Sequence, residues 1–242
     1  NTIGSKLPAS ITNFSPTTAT AGTATTITID GSGFGASAGT VRFSNADDGG
    51  ATFKDGLATE IISWNDSQIV VEVYQDAGTG PIQVVGTSTT TSAQTLTVTY
   101  AELNPEFDPG TGTETYLPRH INRNGNGGYI WQMFTDFDAN TAANEAFVRS
   151  LETWRCTSGI NWEIGSVTTT DIIANDDINI VRHDNGGELN AGVLGRCTTR
   201  WSGCSSGGVI SWYVEETDIV YDDGTNWNYS TGSPGITEYD FE

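Results

Sequence analysis

Basic residues, histidine and cysteine are scarce in this sequence. Its 242 residues hold 10 Lys and Arg against 30 Asp and Glu, with two His, three Cys and one Met. A net charge of −20 speaks against nucleic acid as a partner. Binding a polyanion draws on Lys and Arg, and the last Lys is Lys54. No run approaches the ~18 apolar residues of a membrane helix, so no helical span is expected. No charged stretch followed by an apolar one opens the chain, and Asn1 reads as a mature terminus. The two His, His120 and His183, stand outside any H-x-x-x-H frame. A catalytic zinc needs three protein ligands, so the sequence has no zinc site of its own and no catalytic residue is assigned.

What is present argues for folded domains. A hydrophobic fraction of 36% and seven Trp oppose disorder, and the length suits two domains of roughly 100–200 residues each. Abundant Thr, Ser, Asn and Gly with almost no Lys is a composition common among exported bacterial proteins. Cys197 and Cys204 bracket CTTRWSGC, a segment short enough for a disulfide across a hairpin or tight turn. That pairing fits an oxidising compartment and leaves Cys156 over; the alternative is three buried thiols.

Residues 9 to about 100 read as short strands with period-two alternation, separated by Gly, Asn, Asp and Ser clusters, which means a β-sandwich. Residues 101–117 carry Pro105 and Pro109 and read as a linker. Residues 118–242 have a different texture. A strand at Tyr129–Phe134 precedes a helix from about Thr141 to Trp154, with Ala143, Phe147, Leu151 and Trp154 on one stripe and Asp138 or Asn140 as its cap. Strands follow at 160–164, 177–182, 192–195, 209–213 and 217–221, so a helix on one face of a sheet is expected.

Gly203-Cys204-Ser205-Ser206-Gly207 matches the nucleophile-elbow string G-x-S-x-G, but no helical pattern and no His follow it, so it reads as a Gly/Ser loop. Asp136-Phe137-Asp138-Ala139-Asn140 has calcium-loop spacing without the later Gly and Glu, and reads as helix capping. Asp222-Asp223-Gly224 sets two hard oxygen ligands in a tight turn. A paired-carboxylate glycosidase and a carbohydrate-binding role for exposed Trp rest on composition alone.

Two family resemblances enter on particular residues. Ile11-Thr12-Asn13-Phe14-Ser15-Pro16, Gly22-Thr23 and Ile27-Thr28-Ile29-Asp30-Gly31-Ser32-Gly33-Phe34-Gly35 resemble the opening of an IPT/TIG immunoglobulin-like domain, and Val41-Arg42-Phe43, Trp64–Ile69 and Gly80-Pro81-Ile82 continue it. From Tyr129 onward the chain is similar to the front half of a matrixin-like metzincin, a zinc-dependent endopeptidase. The resemblance lies in the strand–helix opening ending at Leu151-Glu152-Thr153-Trp154, in Asp177–Val181 and in Gly192-Val193-Leu194-Gly195. It continues in Asp218-Ile219-Val220-Tyr221-Asp222 with Trp227, and in Thr237–Glu242.

These resemblances imply a β-sandwich (Ig-like) domain at 1–100, a linker at 101–117, and at 118–242 an incomplete α+β metzincin-like domain with a mixed sheet and one long helix. They imply a secreted or cell-surface bacterial zinc-dependent endopeptidase, inactive in this stretch because H-E-x-x-H-x-x-G-x-x-H is expected only after Glu242. Zinc is expected in the full-length protein and is not bound by residues of this chain. Gly192, Val193, Leu194 and Gly195 stand where the family has the edge strand that aligns a peptide or protein substrate. Val220 replaces the family's structural-zinc His, so no structural zinc is expected there. Thr225 replaces an acidic ligand, leaving Asp222 as the residue with calcium-ligand chemistry. The Ig-like domain implies a cell-surface or extracellular partner. The competing reading is a non-enzymatic surface adhesion or binding protein.

Overall fold

The structure, a computed structural model, describes residues 8–242. The chain divides into two compact units at Leu117/Pro118. In the first, one sheet has the order β1 (Ser10–Ser15), β3 (Thr26–Ser32), β7 (Gln68–Glu72), β6 (Ile61–Trp64). The other has β2 (Thr18–Ala21), β9 (Thr89–Ala101), β8 (Ala77–Val85), β4 (Thr40–Asn45), β5 (Phe53–Asp55). Alternation along these strands sends Ile27, Ile29, Val41, Phe43, Ile69, Val71, Ile82, Val84 and Leu96 into a shared core.

The glycine corner after β3 divides its work. Gly33 and Gly35 hold φ of 74° and 100°, the left-handed region glycine tolerates. Gly31 is needed for space instead, since a Cβ there would lie 2.1 Å from the Ser10 carbonyl oxygen and 2.4 Å from the Phe34 ring.

Residues 101–117 do not run free between the units. The pair β10 (Glu106–Phe107) and β11 (Glu114–Thr115) is antiparallel, and Glu106 Oε1 accepts from Tyr74 Oη and Gln75 Nε2, so this segment packs on the first unit.

The second unit is built on a sheet of order β12 (Pro118–Arg119), β17 (Val209–Tyr221), β15 (Asn179–His183), β13 (Gly128–Met133), β14 (Asn161–Ile164), with β16 (Gly195–Ser206) also on β17. All pairings are parallel except β16–β17. After α1 (Thr135–Ala139), the helix α2 (Thr141–Ser158) crosses one face of the sheet. Asn140 caps it, its side chain accepting from the Ala143 N–H, and Gly159 ends it at φ 72°. Ala143, Ala146, Phe147 and Leu151 pack on Trp131, Met133 and Val181. Trp154, expected on the same stripe, is 65% exposed, because the helix outruns the core its first three turns cover. The short strands β18 (Trp227–Asn228) and β19 (Tyr239–Asp240) pair in parallel, and Phe241 joins the helix-side core. No helix among the described residues is long and apolar enough to cross a membrane.

One buried acid in the first unit makes its stability pH-dependent. Glu60 is 7% exposed. Burial raises its carboxyl, the Leu57 N–H opposes this, and Glu72 and Glu106 add to it, leaving the pKa at about 7 against 4.5 unperturbed. Between those values the folded form holds a proton that the unfolded chain has released, so the stability this group contributes falls as pH rises and is gone above about 7. Urea titrations at about pH 5 and pH 8 should differ by about 3 kcal/mol through this group, and Glu60→Gln should remove that part of the slope.

Candidate functional site

Among the described residues β16 is one free edge of the second sheet, β14 being the edge at its other end. Its hairpin with β17 turns at Gly207 and Gly208, both at positive φ (58° and 81°), the geometry of a two-residue primed turn that suits the twist of the strands. The G-x-S-x-G string therefore closes a hairpin and builds no elbow. Pairing runs from Ser206↔Val209 to Gly195↔Tyr221, and among the described residues β16 pairs with no other strand.

Two expectations are corrected here. Cys197 and Cys204 lie seven positions apart on this one strand, about 23 Å at ~3.3 Å per residue, where a disulfide needs Cα atoms within about 7 Å. All three cysteines are free and exposed. The edge strand also starts later than Gly192: Gly192 has φ 85°, Val193 N–H donates to the Asn190 carbonyl, and only Gly195 of the four belongs to β16. Leu194 still contributes, its carbonyl accepting from the Asp222 N–H at 2.8 Å.

Behind the edge lies a buried ionic cluster. Period two sends Ile219 and Tyr221 of β17 to the α2 face and Glu216 and Asp218 to the opposite one, where both side chains are 1% exposed. Arg200 of β16 reaches both, its Nη1 lying 2.7 Å from Glu216 Oε1 and 2.7 Å from Asp218 Oδ2. Backbone N–H groups of Asp176 and Asp177 donate to Glu216 Oε2, and that of Ile180 to Asp218 Oδ1. Burial raises both carboxyls, only partly offset by these donors and the guanidinium. Asn179 ties the neighbouring strands together, donating to the Ile130 carbonyl and accepting from the Thr217 N–H. On the same face Arg182, 2% exposed, pairs with Glu188 and Asp171.

At the carboxyl ends of β13, β15 and β17 opens a cavity of about 760 Å³, lined by Asp136, His183, Asp184, Asp223, Trp227 and Tyr229 among others. From β13 the chain passes to β14 on one side and later to β15 on the other, so the cavity sits at a topological switch point, where open parallel sheets bind ligands. His183 Nε2 and Tyr229 Oη are 2.9 Å apart, and burial lowers the imidazole pKa, opposed by Asp223 and Asp184.

Asp222 meets Asp184 and Asp223 in this region, their ligand atoms all within 4.8 Å of one another. Most of this capacity is already engaged. Asp184 accepts from the N–H groups of Gly187, Leu189 and Asp223, and Asp222 Oδ2 accepts from Thr225 Oγ1. Burial would raise Asp184, but these donors and the Asp223 side chain hold it at about 2, while Asp223, sharing a hydrogen bond with that carboxylate, is raised. Calcium takes about six to eight oxygens, so these residues meet its needs only in part and act first as a clamp between the loop after β15 and the end of β17.

Zinc fits the residues present less well. His120 lies edge-on to Tyr129 and Trp162, and His183 is held by Tyr229. Among the described residues the carboxylate trio is the only group of three or more His, Cys, Asp or Glu close enough to share an ion.

Comparison with known proteins bears on the first unit. Residues 9–100 match the family model described as the IPT/TIG domain. The first unit carries an IPT/TIG domain. The IPT/TIG match spans the two-sheet sandwich and its glycine corner and stops before the β10–β11 pair. No curated protein matches the chain. Among solved structures it is similar to an auxiliary nutrient binding protein from Bacteroides thetaiotaomicron at 18% identity, over 38% of this chain and 21% of that one, with a TM-score of 0.30. That likeness is too slight to bear on fold or function.

Sequence reasoning placed Asp222 and the end of β17 in the site region but missed Arg200, Glu216, Asp218 and Asp184. The signal for the first three was acids two apart in a strand, with an arginine at the mirror position of the hairpin. Replacing Arg200 by Met leaves two neighbouring carboxylates buried without their cation, and breaking such a pair costs about 3–5 kcal/mol. Urea denaturation should show that loss, with amide exchange accelerated first along β16. Arg200→Lys, with a single ammonium to divide between the acids, should recover only part of it.

Proposed function

We propose that the second unit is the substrate-aligning front part of a secreted bacterial zinc-dependent endopeptidase of the matrixin-like metzincin type, whose H-E-x-x-H-x-x-G-x-x-H segment follows Glu242. The observation that carries this reading is the pairing of its two most specific segments. Gly192–Gly195 and Asp218–Asp222 are hydrogen-bonded neighbours: Gly195 lies opposite Tyr221, Leu194 accepts from the Asp222 N–H, and Trp227 Nε1 folds back onto the Asp222 carbonyl at 2.8 Å. They meet on the one antiparallel strand of an otherwise parallel sheet, and among the described residues nothing pairs with that strand's other side.

The chemistry assigned to the described residues is binding and orientation. An extended peptide can add antiparallel to β16 through main-chain hydrogen bonds, which gives sequence-tolerant alignment. The bulge where Arg200 faces Glu216 and Trp201 faces Val214 limits the straight part of this edge to about Gly195–Thr199. Zinc would polarise the scissile carbonyl and activate water, but none of the His here fits it, so no hydrolytic step is assigned to this stretch.

The test is to read and express the frame beyond Glu242. The expected outcome is H-E-x-x-H within about a dozen residues, as the motif spacing implies, and hydrolysis of an unfolded protein substrate that a chelator abolishes and zinc restores. A stop codon, or a continuation without paired His, overturns the reading and leaves a surface binding protein with an IPT/TIG module.

A further inference from the structure

Three Asn-Gly pairs occur in the sequence, at Asn124-Gly125, Asn126-Gly127 and Asn185-Gly186. Asparagine is chemically labile, most of all before glycine, where no side chain shields the following backbone nitrogen. That nitrogen attacks the side-chain amide carbon, a succinimide ring closes and ammonia leaves. Water then opens the ring at either carbonyl, giving aspartate or isoaspartate. The attack needs an amide that can swing and a nitrogen that is not engaged elsewhere, so the fold decides which pair reacts.

Two of the pairs are locked. Asn124 Oδ1 accepts from the N–H groups of Asn126 at 2.8 Å and Gly128 at 2.9 Å, and its Nδ2 donates to the Asn161 carbonyl at 3.1 Å, so the amide is fixed. At Asn126 the nucleophile is engaged instead, the Gly127 N–H donating to Asn122 Oδ1 at 2.8 Å. Asn185 differs on both counts. It and Gly186 are exposed in the loop after β15, and among the described residues the Gly186 N–H has no hydrogen-bond partner. The Asn185 amide has a single bond, from Nδ2 to Asp171 Oδ2 at 2.9 Å. Local sequence does not separate it from Asn126, since Gly-Gly follows both.

We propose that Asn185 is a site of spontaneous deamidation, and that its conversion frees the loop after β15 from Asp184. The bond formed is Gly186 N to Asn185 Cγ, the bond broken is Cγ–Nδ2, and ring closure and opening together take up one water for each ammonia released. The products alter two sets of contacts. A carboxylate replaces the donor that faced Asp171, so like charges meet beside the Asp171–Arg182 pair. Isoaspartate also routes the main chain through the side chain, which lengthens the backbone directly after Asp184. Asp184 Oδ2 accepts from the N–H groups of Gly187 and Leu189, both at 3.3 Å, and these bonds cannot keep their register across a lengthened chain. The bond from the Asp223 N–H to Asp184 Oδ1 lies outside the altered stretch and persists.

The test holds the complete 242-residue chain in warm, mildly alkaline buffer made with heavy-oxygen water, and follows each Asn-Gly peptide by mass and by isoaspartate content. The Asn185 peptide should gain label severalfold faster than the Asn124 and Asn126 peptides. In concentrated urea, where the locks are gone, the three rates should converge. Amide exchange at Gly187 and Leu189 should quicken in step with conversion, while exchange along β13 stays unchanged. Asn185→Gln, whose longer side chain closes the ring poorly, should abolish both the label at this position and the drift in exchange. Faster conversion of Asn124 or Asn126 in the folded chain, the same lead for Asn185 in urea, or conversion of Asn185 without faster exchange at Gly187 and Leu189 overturns the proposal.

Discussion

Two carboxylates on one strand, Glu216 and Asp218, organise the second unit, because a sheet cannot bury them there without supplying their partners. They lie on the same face of β17, both 1% exposed. Their requirements are met from three directions: the Ile180 N–H of β15, the Asp176 and Asp177 N–H groups of the loop just before it, and the Arg200 guanidinium from β16. Each donor fixes a different element relative to β17. The register of the edge strand is thus set by charge as well as by its hairpin, since a slip by one residue would carry Arg200 to the other face and leave both acids unpaired.

The bulge opposite Arg200 belongs to the same constraint. From the Gly207–Gly208 turn to Trp201↔Val214 the pairing is symmetric, and then it shifts by one so that Arg200 faces Glu216 and Glu215 is left over. Glu215 is used elsewhere, pairing with Arg123 at 2.9 Å and accepting from Ser202 Oγ. Two adjacent acids, on opposite sides of a strand by period, therefore serve separate partners, and the extra residue reconciles them.

Legibility from sequence followed burial. The IPT/TIG sandwich was readable because Ile27, Ile29, Ile69, Val71, Ile82 and Val84 alternate with polar residues between glycine-rich turns. The helix was readable from Ala143, Phe147 and Leu151, which face an apolar sheet. The strand β16 was not, because from Gly195 to Ser206 it has no buried residue and hence no alternation to see. Its polar string passed for a loop, and two cysteines on one extended strand passed for a bridge across a turn. Asp184 was invisible for another reason. Its three backbone donors come from Gly187, Leu189 and Asp223, and no local pattern announces a carboxylate used as a loop clamp.

Among the described residues β16 is pinned on one side and pairs with no strand on the other, which is the arrangement the proposed strand addition would use. The inner edge of β16 is held by its full ladder to β17 and by Arg200, so its outer N–H and C=O groups are already ordered before anything pairs with them. Much of the entropic cost of adding a strand falls on fixing both partners, and here one is fixed in advance. The Asp184–Asp223 clamp acts at the same point, because it holds the end of β17 where Asp222 receives Leu194 and the edge begins. The buried charges, costly as they are to desolvate, thus hold open a backbone edge that an apolar core alone would leave free to slip.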